Sequence, residues 1–125
     1  MTSFPAPAVA VFIYRRRELA EQLAQAIRPW SPRKVWIIAD GPKNQADSSG
    51  VEECRKGLEK AICWDCEIRR IYSPSNLGLR KRIESGLDAV FADDQEAILL
   101  EEDCHPTEEF FSFCEAMLDR YRTVS

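Results

Sequence analysis

Three carboxylates in a row, Glu101-Glu102-Asp103, follow directly on three apolar residues, Ile98-Leu99-Leu100. Adjacent negative charges repel, and taking them out of water is costly unless a cation shares them. The run is a candidate divalent-cation site; the plain alternative is that a strand ends there and its acids point into water. Two triplets, Arg15-Arg16-Arg17 and Arg80-Lys81-Arg82, hold six of the seventeen Lys and Arg residues. Each opens a helical pattern, where the partial positive charge of a helix start prefers acids. Glu52-Glu53 and Glu108-Glu109 obey that preference elsewhere in the chain. A bound anion, held by backbone N–H groups and cations together, would account for the inversion. Otherwise the arginines fan into solvent or pair with acids such as Glu18 and Glu84. Cations and carboxylates converging on one edge suit a metal-chelated diphosphate. Asp40 closes another apolar run and can accept a uracil ring N–H or a ribose hydroxyl, or else cap the Gly41-Pro42 turn. Asn76 is a ligand contact, a turn residue or a helix cap.

The elements that must position these groups alternate regularly. An apolar strand, Val9–Tyr14, is set off by Pro5 and Pro7 and leads into a helix over 18–28 with Leu19, Leu23, Ala26 and Ile27 inward, stopped by Pro29. Val35–Ala39 is the second strand, ending at Asp40. Residues 43–50 are polar and aperiodic, which predicts a mobile loop. A second helix over 51–62 turns Val51, Cys54, Leu58 and Ile62 inward. Glu67–Tyr72 is a more polar strand and so an edge, and 73–78 is a turn. A third helix places Leu79, Ile83, Leu87, Val90 and Phe91 on its buried stripe, and a last one Phe110, Cys114, Met117, Leu118 and Tyr121. The fourth strand, wholly apolar before its acids, is expected to be buried on both faces. Alternation with helix-length crossovers predicts parallel strands with helices on both faces. The acid run and both triplets then fall on the carboxyl edge, where α/β folds bind ligands.

A chain of 125 residues with 45% hydrophobic and 30% charged content can bury a real core and is expected to form one domain, 1–125. The net charge of −4 argues against a nucleic-acid or anionic-membrane binder. Residues 1–8 lack a secretory signal pattern and no apolar run suits a bilayer, so the expected location is the cytoplasm. Cys63-Trp64-Asp65-Cys66 has redox or zinc spacing without a second such pair. The five cysteines are therefore expected to be reduced, buried thiols. The Gly-rich dinucleotide fingerprint and the phosphate-binding loop are both missing.

These pieces together resemble bacterial nucleotide-diphospho-sugar transferases of the GT-A fold, family-2-like glycosyltransferases, and more distantly N-acetylglucosaminyltransferase I. The resemblance is carried by Phe12-Ile13-Tyr14-Arg15-Arg16-Arg17, Ile38-Ala39-Asp40-Gly41-Pro42, Asp65-Cys66-Glu67, Asn76-Leu77-Gly78-Leu79-Arg80-Lys81, Ile98–Cys104 and Phe110–Glu115. It implies a Rossmann-like three-layer α/β/α domain whose four-stranded, mainly parallel sheet runs in order 3-2-1-4. It further implies nucleotide binding through Tyr14, Arg16, Asp40, Asn76, Gly78, Arg80, Lys81 and Glu102. Asp103, with Glu102, would bind Mn2+ or Mg2+. The donor would be a UDP-sugar, and transfer to a saccharide or other acceptor would be of the hexosyltransferase type. Glu102 stands where the family has Asp, and Arg15 and Arg17 where it has Asn and Pro. No residue matches the family's general base; His105 beside Pro106 reads as a surface group or one lying behind the metal ligands. The chain would thus be the N-terminal, donor-binding part of a longer domain, its bare fourth strand open to homodimerisation. A non-catalytic nucleotide- or protein-binding domain of the same fold is the alternative. A receiver-type signalling domain is set aside, because the first strand ends in Arg15 and the third in Tyr72-Ser73.

Overall fold

The computed structural model describes residues 7–121, and the statements below concern those; Pro5 lies outside them. Strand β1 (Ala8–Ile13) is apolar at every position and buried on both faces. It therefore occupies the middle of the sheet, flanked by β2 (Lys34–Ala39) and β4 (Ala97–Glu101), while β3 (Glu67–Tyr72) pairs with β2. All three pairings are parallel, in spatial order β3-β2-β1-β4, as expected. The charged outer residues of β3 fit an edge position.

Helices cover the two faces unequally. On one face α1 (Arg17–Ile27), α2 (Ser48–Ala61) and α4 (Glu108–Tyr121) pack over Val9, Val11, Ile13, Val35, Ile37, Ile98 and Leu100. On the other, α3 (Leu79–Asp93) alone covers Ala10, Phe12, Trp36 and Ile38. It fits closely there, because a Cβ on Gly86 would lie 2.9 Å from both Phe12 and Ile38 side chains. This is the three-layer α/β/α arrangement.

Several expectations need correction. β4 is not buried on both faces: Leu99, opposite Ala10 on the α3 side, is 42% exposed, since α3 lies over β1 and β2 and does not reach the sheet's flank. The buried line of α1 is Ala20, Leu23, Ala24 and Ile27, with Leu19 and Ala26 at its margins. On α3, Leu79 and Phe91 are exposed while Val90 and Gly86 face the sheet. On α4 the core contact is Phe111, stacked on Trp30 at 4.7 Å, with Cys114 and Leu118 below it; Phe110 and Tyr121 are exposed. Residues 43–50 are not an unstructured loop, for they hold a 3-10 turn (Gln45–Asp47) and the first turn of α2. The cysteines are free, but Cys63 is exposed and only Cys54 is fully buried. No helix among the described residues is long and apolar enough to cross a membrane.

The free edge of β4 is partly closed. Strand alternation points the N–H and C=O groups of Ala97, Leu99 and Glu101 away from β1. At Glu101 both are taken, because its N–H donates to Cys104 Sγ (3.3 Å) and its C=O accepts from the Cys104 N–H (3.0 Å).

Candidate functional site

Four parallel strands bring their carboxyl ends to one edge, where Tyr14–Arg16, Asp40–Gly41, Ser73–Gly78 and Glu102–Asp103 leave the sheet. The first three strands step outward in one direction and β4 returns to the other side of β1, so the order reverses between β1 and β4. Ligands of open α/β sheets bind outside such a reversal. A cavity of about 320 Å³ opens there, lined by Phe12, Tyr14, Arg15 and Arg16 from the end of β1, Glu101, Glu102 and Asp103 from β4, and Arg82 from α3. Arg16 and Asp103 thus share one cleft. A second cavity of about 190 Å³ adjoins it, with Tyr14 and Arg82 in both walls and Asp40, Lys43, Asn76, Gly78 and Leu79 completing the lining.

The two acids that end buried strands bind the chain's own donors. Glu102 Oε2 accepts the Tyr14 N–H at 2.9 Å, tying the end of β4 to that of β1, and lies 3.7 Å from Cys54 Sγ. Burial, then the Glu102 charge, pushes the Cys54 thiol up to about 12, so it stays protonated. Asp40, 2% exposed, accepts three bonds: the Gly41 and Leu77 N–H groups reach Oδ1 at 2.8 Å each, and Asn76 Nδ2 reaches Oδ2 at 3.1 Å. The same Nδ2 donates to the Gly41 C=O (3.1 Å), and Asn76 Oδ1 accepts the Gly78 N–H (3.1 Å). Asp40 and Asn76 therefore fasten 73–78 to the end of β2. Contact is close enough that a Cβ on Gly41 would fall 2.5 Å from the Ser75 backbone. Gly78, at φ 84° just before α3, adopts a conformation that side-chain-bearing residues rarely take. Arg55 of α2 clamps the same corner, its Nη2 donating to the carbonyls of Asp40 (3.1 Å) and Ser73 (2.8 Å) with its guanidinium over the Tyr72 ring.

Asp47 fixes the opposite wall. Its Oδ2 accepts the Tyr14 hydroxyl at 2.5 Å, and its Oδ1 accepts Arg15 Nη1 at 2.7 Å. The Tyr14 hydroxyl holds the Asp47 carboxyl below its ordinary value. Burial, with the Asp47 contact adding to it, raises the Tyr14 phenol in turn.

Of the basic triplets, Arg15 pairs with Asp47, Arg17 with Glu21 and Arg80 with Glu84. Arg80 and Lys81 are exposed and line neither cavity. The member that turns inward is Arg82, one helical turn before Gly86. Its Nη1 reaches only the Ile13 carbonyl at 3.4 Å, and its shielded Nε has no acceptor. A buried donor left so costs about 1–3 kcal/mol. Of the sequence-proposed residues, Tyr14, Arg16, Asp40, Asn76, Gly78, Glu102 and Asp103 therefore line the paired cavities. Arg82, a member of the second triplet, lines both, and Lys43 lines the smaller one without having been singled out; Asp47, also not singled out, lies outside both linings and holds Tyr14 and Arg15 from behind. The four-residue spacing to Gly86 was a readable signal for Arg82; nothing in the polar 43–50 stretch marked Asp47. His105 is exposed and lines neither cavity.

Among the described residues, no three His, Cys, Asp or Glu side chains form a group that could hold a metal ion by themselves. Magnesium sites built on phosphates need only one or two carboxylates, the phosphates and water supplying the rest. Exposed Asp103 and the second oxygen of Glu102 suit that donor set and not an all-protein cage. In comparisons with known proteins, no family model, no curated protein and no solved structure matches this chain.

Proposed function

We propose that this chain is the donor-binding portion of a glycosyltransferase, binding a nucleotide-diphospho-sugar, a UDP-sugar by preference, together with Mn2+ or Mg2+ for transfer of the sugar to an acceptor. The observation that carries the reading is the cavity between the ends of β1 and β4, with Arg15, Arg16 and Arg82 in the same walls as Glu101, Glu102 and Asp103. Guanidinium groups suit phosphate oxygens, and carboxylates suit the cation that bridges those oxygens. The diphosphate would lie in the larger cleft. The base would enter the smaller one, where the remaining lone pair of Asp40 Oδ2 can take a ring N–H beside the Tyr14 side chain. Asp103, with Glu102, would hold the cation, which when bound neutralises charge on the departing nucleotide. The chain's own groups would fix the phosphates, orient the base and keep the loops around them still.

Titration calorimetry of UDP with and without Mn2+ tests this reading. Metal-dependent binding is expected, with Asp103→Ala removing the metal dependence while circular dichroism stays unchanged. Absence of binding by UDP under both conditions overturns it. One observation favours the second reading, a nucleotide-binding domain without transfer. Glu102 and Asp40 already accept bonds from the chain and Asp103 is spoken for as a metal ligand, so among the described residues the exposed Glu101 alone is left of the cleft carboxylates to serve as a base. Release of UDP from a UDP-sugar in the presence of candidate acceptors separates the two.

A further inference from the structure

We propose that Arg82 is the anion-gripping residue shared by both clefts, taking the phosphate oxygens of a diphosphate through its guanidinium edge; this rests on the nucleotide-diphosphate reading and assigns its central contact. Three observations converge. Arg82 lines both cavities, so whatever spans them passes its guanidinium. Among the described residues its charge is uncompensated: Arg15, Arg17 and Arg80 each have a carboxylate partner, whereas Arg82 makes one long bond to a backbone carbonyl and its Nε has no acceptor. An arginine carries five donors in a planar fork made for paired oxygens, and a guanidinium held by one long bond can turn that edge toward arriving acceptors.

The surroundings point the same way. Arg82 lies in the first turns of α3, whose start has no side-chain cap and no acid to balance the helix dipole. In the smaller cleft the one acid is Asp40, already engaged by three N–H groups, while Lys43 adds a second cation. In the larger cleft Glu101 and Asp103 come from the far side of β1. A ligand with negative and positive ends would therefore place its phosphate oxygens at Arg82 and its cation toward Asp103.

The test uses the chain with inorganic pyrophosphate, metal-free, and with UDP plus Mn2+, each by calorimetry. Arg82→Gln is expected to weaken both ligands by about tenfold or more, the loss of a charge-assisted pair of bonds. Arg82→Lys, which keeps charge but not the fork, recovers part of the affinity and carries the test should the glutamine variant fail to fold. Arg28→Gln, a matched charge loss at the far end of α1, should change binding by less than about twofold. Wild-type affinity for UDP and Mn2+ in Arg82→Gln overturns this assignment and leaves the proposed function standing. Equal losses in Arg82→Gln and Arg28→Gln overturn it too, by tracing the effect to net charge. Failure of the wild type to bind either ligand overturns both.

Discussion

Replacing Asp40 is the sharpest probe of how the candidate site is held. Its carboxylate accepts two backbone N–H groups at 2.8 Å and one amide donor at 3.1 Å while 2% exposed. Hydrogen bonds to a charged group contribute about 1.5–3 kcal/mol each, a gross of roughly 4.5–9 kcal/mol for three. Burying the carboxylate takes back several kcal/mol. Asp40→Ala also strands the Leu77 N–H and the Asn76 amide, so the net loss should be about 3–4 kcal/mol. Asp40→Asn keeps one oxygen for both N–H groups but sets its NH2 against that of Asn76, whose own oxygen is committed to the Gly78 N–H. About 1–2 kcal/mol is expected. For a chain of 125 residues each kcal/mol moves the melting midpoint by about 4 °C, so the variants should melt roughly 14 °C and 6 °C below wild type. Urea denaturation with a common slope gives the free energies directly. A loss under about 1 kcal/mol in Asp40→Ala, or a greater loss in Asp40→Asn than in Asp40→Ala, refutes the view that this carboxylate is chiefly an anchor for 73–78.

Asp47 titrates below its ordinary 3.8 when folded, chiefly through the Tyr14 hydroxyl, so the stability it lends is complete above about pH 4 and is lost as pH falls through the lower folded value. Asp47→Asn should flatten the acid limb of a stability-versus-pH curve recorded by chemical denaturation; an unchanged limb removes Asp47 from that role. Phe111→Ala should cost about 3–5 kcal/mol and Phe110→Ala under about 1 kcal/mol by urea unfolding, since Phe111 is fully buried against Trp30 and Phe110 is not. Gly41→Ala, with its new Cβ 2.5 Å from the Ser75 backbone, should destabilise by about 1–3 kcal/mol and shift the amide resonances of 73–78. Light scattering should find mostly monomer, because at Glu101 the outward groups of β4 are closed by Cys104; a stable dimer sensitive to Leu99→Lys would show that the remaining edge suffices.

What could be read from the sequence divides along physical lines. Parallel pairing and the carboxyl-edge placement of the acid run followed from alternation and apolar runs, because helical crossovers leave little choice, whereas the strand order 3-2-1-4 came from the family resemblance. Helix faces were less legible. Phe110 and Phe111 are both aromatic and neighbouring, and periodicity alone does not tell which of them meets Trp30, a residue distant in sequence. Leu99 looked buried because its strand is apolar throughout, yet its exposure depends on where α3 lies. Charge pairing was hidden for the same reason. Arg15 and Arg82 read alike as members of triplets, but one meets Asp47 from a stretch without pattern and the other meets no acid.

The division of labour among the acids bears most on function. A carboxylate that both supports its own loop and grips a ligand must trade one task against the other, since binding would compete with the bonds that shape the cleft. Here the tasks are separated in part, for Asp40 and Glu102 support the fold and each keep acceptor capacity toward the cleft. Asp40, Asp47 and Glu102 hold 73–78, Tyr14 and the β1–β4 seam, while Glu101 and Asp103 remain exposed at the mouth. Among the cations, Arg15 and Arg55 support and Arg16 and Arg82 have no acid partner. Groups held by bonds within the chain keep their places before a ligand arrives, so less ordering is left to the moment of binding. Arg55 also leaves its Nε unmatched while its Nη2 donates to two carbonyls, so the larger cost of that arrangement falls at Arg82. A chain selected for stability alone would gain by placing an apolar side chain or a carboxylate partner there, so its presence at the junction of two clefts is better explained by what the clefts hold.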